Sequence, residues 1–403
     1  MSVVGRRCVV WIGDYEPTDV AQRFAEFQRG LKLFAKTWRV SVRTSSFAMQ
    51  DGQDAVAVWL AETKGANWKV DTEFRLYNWS DLVRDDFTGW RWDMPWRAAK
   101  AIGSFIASGT LFRYARTNWR FALLFSYPLL VMLAGLLVGL WIRGLVGRLG
   151  LPLPFVFGVA VGCGLILGFM RWVDPTVLRI VNLWIFLHDL ILHKRKGLGQ
   201  RIEQFSHDLE EQLRYQRADE ILVVGHGIGA AMQPLVVDRA FWQFQEFGRE
   251  GEMINLLSVG SQLLAVGLHP EADWLTGPVL RVSRDRMAFW ADYQSKDDPL
   301  SFAGINPAKE MTDSDGKPSV RQVRFKEMTG HAARLFPLRL AYQNHGQFLR
   351  ANAKRCAYDF FMICCGPIPL RSRVKQPEQS LSAFENDGKL RTPNLVTAER
   401  LSS

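Results

Sequence analysis

The stretch EILVVGHGIGAAMQPLVVDRA, residues 220–240, decides the fold class of this protein. Four consecutive apolar residues, Ile221 to Val224, lead into a glycine-rich turn, and a segment of good helix formers follows the turn. A short apolar run bounded by glycines is typical of a buried strand, and a strand that runs directly into a helix is typical of parallel sheets. The stretch therefore predicts an α/β protein.

The same alternation of strand and helix extends outward from this stretch. Helical spacing of apolar residues appears at 18–36 and 202–213, and residues 80–87 are expected to open a helix with Ser80 as its N-cap. Runs typical of strands lie at 7–12, 38–44, 54–61, 73–79, 253–263 and 318–325. Strands that alternate with helices favour a doubly wound, mostly parallel sheet.

The amino-acid composition limits the kinds of partner that the protein is expected to bind. The chain has 403 residues, of which 48% are hydrophobic, and a net charge of +10. No nucleic-acid-binding signature accompanies this positive charge, and part of it flanks two apolar windows, so a lipid bilayer is the expected partner rather than nucleic acid. The five cysteines form neither a CxxC pair nor a metal-ligand spacing, which favours a reducing compartment and predicts no metal site and no cofactor.

Two windows, residues 121–142 and 149–170, contain no charged side chain. At 1.5 Å per residue, each is long enough to cross a hydrocarbon core of about 30 Å. The short link at 143–148 predicts a helical hairpin with two transmembrane helices. Basic residues precede and follow the hairpin, namely Lys100, Arg113, Arg116, Arg120, Arg171, Arg179, Lys194, Arg195 and Lys196. By the positive-inside rule, the globular part is expected to face the cytoplasm, as in a multi-pass protein of the cytoplasmic membrane.

These features divide the chain into four parts. Residues 1–100 are the first part of an α/β domain, and residues 198–371 are its second part. Between them, residues 101–197 form a membrane insertion that ends in an amphipathic helix at 177–193, which is expected at the membrane interface or packed on the globular domain. Residues 372–403 are polar without an apolar period, so a disordered tail is expected there.

The turn at 225–229 has the spacing of a nucleophile elbow, Gly-x-Ser-x-Gly, between a strand and a helix. Its residues are Gly225, His226, Gly227, Ile228 and Gly229, so a glycine stands where the serine is expected. A dinucleotide-binding fingerprint fits less well, because no acidic partner for a ribose is evident after a following strand.

With this elbow the sequence resembles the α/β-hydrolase superfamily in its lipase/esterase-like form. More narrowly, it resembles bacterial membrane-associated hydrolase-like proteins of similar length. The segments that carry the resemblance are VVWIGDYEP, YNWSDLVRDDF, EILVVGHGIGA, DYQSKDDPLSF and HGQFLRANAKRCAYDFFMICCGP. The resemblance implies an α/β-hydrolase-like sheet with an inserted transmembrane hairpin.

The resemblance also implies roles for individual positions. Gly227 occupies the nucleophile position, and glycine has no side chain with which to attack an acyl carbon. The triad acid is expected at Asp298, with Asp297 as the alternative, and the base at His345, with His331 as the alternative. The turn after the first strand, with Gly13 and Asp14, corresponds to the oxyanion loop, where an acidic side chain would repel a developing oxyanion.

Three functions remain open from the sequence. The first is a catalytically inactive, membrane-anchored protein with a binding or scaffolding role, and with a hydrophobic or acyl ligand. The second is an active serine esterase or lipase that uses another nucleophile, such as Ser258 or Ser261. The third is a part of a transporter, which the absence of charge inside both windows disfavours. The oligomeric state is left open.

Overall fold

The computed structural model describes residues 3–50, 53–89, 91–148, 160–162, 164, 168, 175–215, 218–244, 254–313, 315–331 and 339–391. Within these residues, a nine-stranded sheet forms the centre of the protein. Its strands are β1 (Arg6–Ile12), β2 (Ser41–Thr44), β3 (Ala48–Gln50), β4 (Gln53–Lys64), β5 (Lys69–Tyr77), β6 (Glu220–His226), β7 (Ile254–Val259), β8 (Ala288–Gln294) and β9 (Ser319–Gln322).

The sheet is mixed, and its larger part is parallel. The strand order is β2-β4-β5-β1-β6-β7-β8-β9, with β3 paired to β4. All pairings from β5 to β9 are parallel, whereas β2, β3 and β5 pair with β4 in antiparallel fashion. The central strand β6 is buried along its whole length, which is why its sequence is a continuous apolar run rather than an alternating one. The predicted mostly parallel α/β architecture is confirmed.

Helices cover both faces of the sheet. They are α1 (Val20–Trp38), α2 (Met94–Ala107), α3 (Thr110–Thr117), α4 (Trp119–Arg148), α5 (Pro175–Ile191), α6 (Leu198–Tyr215), α7 (Gly229–Phe244), α8 (Leu263–Gly267), α9 (Asp273–Arg284), α10 (Pro307–Thr312), α11 (Phe325–Thr329), α12 (Arg339–His345), α13 (Phe360–Cys365), α14 (Leu370–Lys375) and α15 (Pro377–Ser382). One face packs against α1 and α13, and the other packs against α5 to α9.

Helix α4 is the longest helix of the described chain, with 30 residues. Its segment Trp119–Gly144 has a mean hydropathy of 2.3, and among the described residues it alone is long and apolar enough to cross a membrane. The link predicted at 143–148 is helical and continues α4, so no turn begins before Arg148. The glycines of the link, Gly144 and Gly147, do not end the helix.

Only a few residues of the second apolar window, 149–170, are described. Residues 160–162, 164 and 168 are helical, and the rest of that prediction lies outside the described residues. A Cβ on Gly162 would lie 3.5 Å from Cα of Gly139 and 3.6 Å from the carbonyl oxygen of Gly135. The absence of side chains at these glycines allows the close backbone approach that is typical of helices packed in membranes.

Helix α5 corrects the expectation of an interfacial helix at 177–193. Leu187 is fully buried, and Ile180, Phe186 and Ile191 are each 1% exposed, all within the core on one face of the sheet. The indole N–H of Trp184 donates to the carbonyl oxygen of Phe125, which fixes α5 against the start of α4. Its many apolar positions are therefore satisfied by protein rather than by lipid, which was the other outcome left open by the sequence.

Two further expectations are corrected. Residues 80–87 form two short 3-10 helices, Ser80–Leu82 and Arg84–Phe87, and Ser80 caps neither of them. Residues 372–391 are not a disordered tail, because Phe384 is buried between Trp38 and Trp68, with ring centroids 5.3 and 6.1 Å away. Three aromatic rings packed together supply the apolar contacts that a polar segment otherwise lacks.

Candidate functional site

The turn between β6 and α7 has the geometry that its glycines predict. Gly227 has φ of +56°, the left-handed conformation that only glycine adopts without cost. A Cβ on Gly225 would lie 2.7 Å from Cα of Ala230, and a Cβ on Gly229 would overlap the backbone carbonyls of Ile12 and Gly13. Side chains are thus excluded at both outer glycines because the neighbouring backbone is too close.

Asp14 fills the space above Gly227. Its Oδ1 accepts a 2.7 Å hydrogen bond from the backbone N–H of Ile228, and a Cβ on Gly227 would overlap its carboxylate. The side chain of Asp14 is only 9% exposed. The turn after β1 is held in place by a hydrogen bond from the indole of Trp79 to the carbonyl oxygen of Gly13, at 3.1 Å. A carboxylate therefore lies where a nucleophile side chain would otherwise project.

His345 lies between two carboxylates. Its Nδ1 is 2.8 Å from Oδ2 of Asp298, and its Nε2 is 3.2 Å from Oδ2 of Asp14. The first contact is a hydrogen bond, whereas Nε2 and Asp14 are within ion-pair distance but too poorly aligned for one. Asp298 is itself oriented by the backbone N–H of Leu300, which donates to its Oδ1 at 3.0 Å. The tertiary structure thus aligns Asp14, His345 and Asp298 in a buried row.

His226, the second residue of the turn, packs against His345. The two rings are stacked with centroids 4.5 Å apart, and Nε2 of His226 is 3.1 Å from the carbonyl oxygen of His345. Both histidines are 2% exposed. Asp14, His226 and His345 each place one potential ligand atom within 4.8 Å of the others, which makes them a candidate metal centre that the sequence did not predict.

Burial and neighbouring charges shift the pKa values of this cluster. Burial disfavours the charged form of His345, but Asp298 and Asp14 outweigh it and raise the pKa of His345 well above its usual value. Burial likewise opposes ionisation of Asp14, yet its contact with His345 lowers the pKa of Asp14. For His226, burial and then the charge of His345 lower the pKa to about 4. Near neutral pH, Asp14 is therefore a carboxylate, His345 an imidazolium and His226 neutral.

The two serines considered as alternative nucleophiles, Ser258 and Ser261, make hydrogen bonds to other groups. The hydroxyl of Ser258 donates to Oε1 of Gln233 at 2.7 Å and accepts from the indole of Trp290 at 2.9 Å. The hydroxyl of Ser261 accepts from the backbone N–H of Leu263 at 3.2 Å. Neither hydroxyl contacts a histidine in these bonds, so neither is arranged as an activated nucleophile.

The alternative acid and base are also separated from the cluster. Oδ2 of Asp297 accepts from the backbone N–H of Phe325 at 2.9 Å, a bond to the first residue of α11. His331 is exposed, and its backbone N–H donates to the hydroxyl of Thr329. Of the two predicted pairs of alternatives, it is Asp298 and His345 that the structure brings together.

Gly260, after β7, is a site residue that the sequence analysis missed. It has φ of +55°, and a Cβ there would lie 3.0 Å from Cε1 of His345 and 2.9 Å from Cε2 of Phe348. The glycine in the SVGS segment at 258–261 was a signal for such a close approach.

Two clefts reach this cluster from the surface. One of about 560 Å³ includes His226, Arg23 and Gly346 in its lining, and another of about 500 Å³ includes Asp14 and Gln262.

Neither a protein-family model, nor a curated protein, nor a solved structure matches this chain.

Proposed function

We propose that this protein is a membrane-anchored member of the α/β-hydrolase superfamily that does not catalyse acyl transfer. Its role is binding or scaffolding at the cytoplasmic face of a bacterial inner membrane, with a hydrophobic or acyl ligand. The hydrogen bond from Ile228 to Asp14 is the observation that carries this proposal.

The resemblance to hydrolases implies a function for the N–H group that makes this bond. In the nucleophile elbow, the N–H of the residue after the nucleophile is one of the oxyanion donors, and here that donor is occupied by a carboxylate of the chain itself. The negative charge of Asp14 would repel a developing oxyanion at the same place. Gly227 supplies no nucleophile, and a charged His345 has no free lone pair on its imidazole with which to accept a proton. Three requirements of acyl transfer are therefore unmet.

Helix α4 supports the membrane part of the proposal. Its first turns are buried in the protein through Phe121 and Phe125, whereas the segment from Leu130 to Trp141 exposes most of its apolar side chains. An exposed apolar surface of this length is costly in water and favourable in a bilayer. The multi-pass arrangement and the inner membrane follow from the second apolar window and the basic flanks, which are sequence arguments.

Exposed aromatic side chains in the segments that precede α4, and at its first residue, support the membrane part of the proposal as well. Trp92 is 92% exposed and Phe112 is 73% exposed, and Trp96 and Trp119 are also largely exposed. Lys100 lies over the ring of Trp96 at 4.9 Å. Aromatic rings combined with basic groups are typical of the boundary between membrane and cytoplasm.

A fluorophosphonate probe, which labels activated serines, tests the proposal on the full-length protein in detergent. We expect no labelling of the wild type and none of Gly227→Ser, because the new side chain would overlap the Asp14 carboxylate. The double variant Asp14→Gly, Gly227→Ser removes the obstacle and frees the Ile228 N–H, so labelling is expected there. Adding His345→Gln should abolish it. Thermal unfolding confirms that each variant is folded.

Labelling of the wild type that is lost in Ser258→Ala or Ser261→Ala would overturn the proposal in favour of an active serine hydrolase. Labelling of Gly227→Ser alone would show that Asp14 does not block the site.

A further inference from the structure

The three side chains around the turn at 225–229 have the arrangement of a metal centre. We propose that Asp14, His226 and His345 bind a first-row divalent metal ion, and that Zn²⁺ is the ion that fits best. The inference goes beyond the proposed function and does not depend on it, because a metal ion is bound by these ligands whether or not the protein hydrolyses an ester.

Two of the three ligand atoms have the spacing that such an ion requires, and the third lies near them. One carboxylate oxygen of Asp14 and one imidazole nitrogen from each of His226 and His345 lie within 4.8 Å of one another. Zinc bonds of about 2.0–2.1 Å in tetrahedral geometry place neighbouring ligand atoms roughly 3.3 Å apart. The distance of 3.2 Å from Nε2 of His345 to Oδ2 of Asp14 matches this value.

Each ligand is already oriented by a second contact. Nδ1 of His345 is held by Asp298 at 2.8 Å, and the other oxygen of Asp14 is held by the N–H of Ile228 at 2.7 Å. Nε2 of His226 lies 3.1 Å from the carbonyl oxygen of His345, a contact that holds the ring of His226 in place. Histidines that bind metals almost always have their other nitrogen held by a carboxylate or a backbone carbonyl.

The surroundings of one ligand atom favour coordination. Nε2 of His345 is buried, and its 3.2 Å contact with Oδ2 of Asp14 is not a well-aligned hydrogen bond. A buried polar atom without a good hydrogen bond is costly, and coordination to a metal ion would satisfy it.

The charges of the buried row favour a divalent ion. The row contains two buried carboxylates, Asp14 and Asp298, one on each side of His345. The two positive charges of a divalent cation would balance them. A nitrogen-rich ligand set favours Zn²⁺ over Mg²⁺ or Ca²⁺, which prefer oxygen ligands.

The test is titration of the metal-free full-length protein in detergent with Co²⁺, which reports its coordination by visible absorption, followed by displacement with Zn²⁺. We expect one equivalent to bind. His226→Gln should weaken binding beyond the titration range, and Asp298→Asn should weaken it by about 10- to 100-fold through loss of the second contact. His207→Gln, an exposed histidine on α6, is the matched control and should bind like the wild type.

Absence of a one-equivalent absorption change would overturn the proposal, as would equal binding by the wild type and His226→Gln when thermal unfolding shows both to be folded. Neither result bears on the fluorophosphonate experiment, so failure of the metal site and failure of the proposed inactivity are distinguishable.

Discussion

The backbone N–H of Ile228 donates a 2.7 Å hydrogen bond to Oδ1 of Asp14, across 214 positions of sequence. This bond joins the turn after β1 to the turn between β6 and α7. It occupies the N–H of the residue after Gly227, and it keeps the other carboxylate oxygen 3.2 Å from Nε2 of His345. The functional predictions therefore depend on one buried row, Asp14, His345 and Asp298.

Removal of one charge from this row should destabilise the protein strongly. Asp298→Asn leaves a buried imidazolium with weaker compensation, and loss of one partner of a buried ion pair costs about 3–5 kcal/mol. Chemical denaturation in detergent measures the free energy of unfolding. The control is Asp315→Asn at an exposed pair with Lys309, where water screens the two charges and a much smaller change is expected. Equal effects at both positions would contradict a buried ion pair.

The pKa of His226 predicts how stability changes with pH. Its value falls from 6.5 in the unfolded chain to about 4 in the folded protein, so between these values the unfolded state binds the extra proton. Stability from this group is present above pH 6.5 and is lost as the pH falls toward 4, by about 1.4 kcal/mol per pH unit at most.

Denaturation curves between pH 4 and pH 7 check this slope. His226→Gln should reduce the slope of the free energy of unfolding against pH by an amount that corresponds to at most one proton. His207→Gln should leave this slope unchanged. His345 acts at the opposite end of the pH range. Its raised pKa means that its contribution is full below pH 6.5 and is lost as the pH rises through the folded value. An unchanged acid slope in His226→Gln would refute the assignment.

Substitution of Gly260 should destabilise the protein more than substitution of another glycine that also has a positive φ. Gly260→Ala places a Cβ 2.9 Å from the ring of Phe348 and 3.0 Å from that of His345, in addition to the strain of positive φ. Gly304 also has positive φ, but a Cβ there meets nothing within 4 Å. We expect Gly304→Ala to cost about 1 kcal/mol, and Gly260→Ala to cost about 1–3 kcal/mol more, as overpacking does. Thermal unfolding of the two variants gives the difference, and its absence would refute the close contact.

The packing of residues 372–391 predicts that this segment contributes to stability. Phe384→Ala removes a ring that lies between Trp38 and Trp68, and truncation of a buried phenylalanine costs about 3–5 kcal/mol. Phe112→Ala is the control, since that ring is 73% exposed. Denaturation midpoints measure both variants. A loss below 1 kcal/mol in Phe384→Ala would show that the segment is only loosely attached.

Helix α4 can be tested by a charge on its exposed apolar surface. Leu136→Arg should lower the fraction of protein that stays in membranes after alkaline extraction, because an arginine at the centre of a membrane helix costs about 2.5–3.5 kcal/mol. Leu33→Arg on α1 is the control, since Leu33 is exposed on the globular part. Identical extraction of both variants would argue against a membrane location for α4.

Several elements of the fold could be predicted from the sequence, because the residue pattern that specifies each of them is local. The apolar runs of β1 and β6, the spacing of α1 and the glycines of the turn at 225–229 each follow from neighbouring residues. Strand β8 was missed. Its Asp292 interrupts the apolar run, yet it is fully buried, and burial raises its pKa to about 7.

The sequence by itself determined the mostly parallel α/β architecture, the glycine-rich turn at 225–229 and the long apolar helix, since each depends on spacing along a few turns or strands. Only the tertiary structure decided that Asp14 lies over Gly227, that His226 and His345 stack, and that α5 and residues 372–391 pack inside the protein. These contacts join residues far apart in the chain. Their geometry depends on how the sheet brings its strand ends together and on which apolar faces remain to be covered, and neither is encoded in a local pattern.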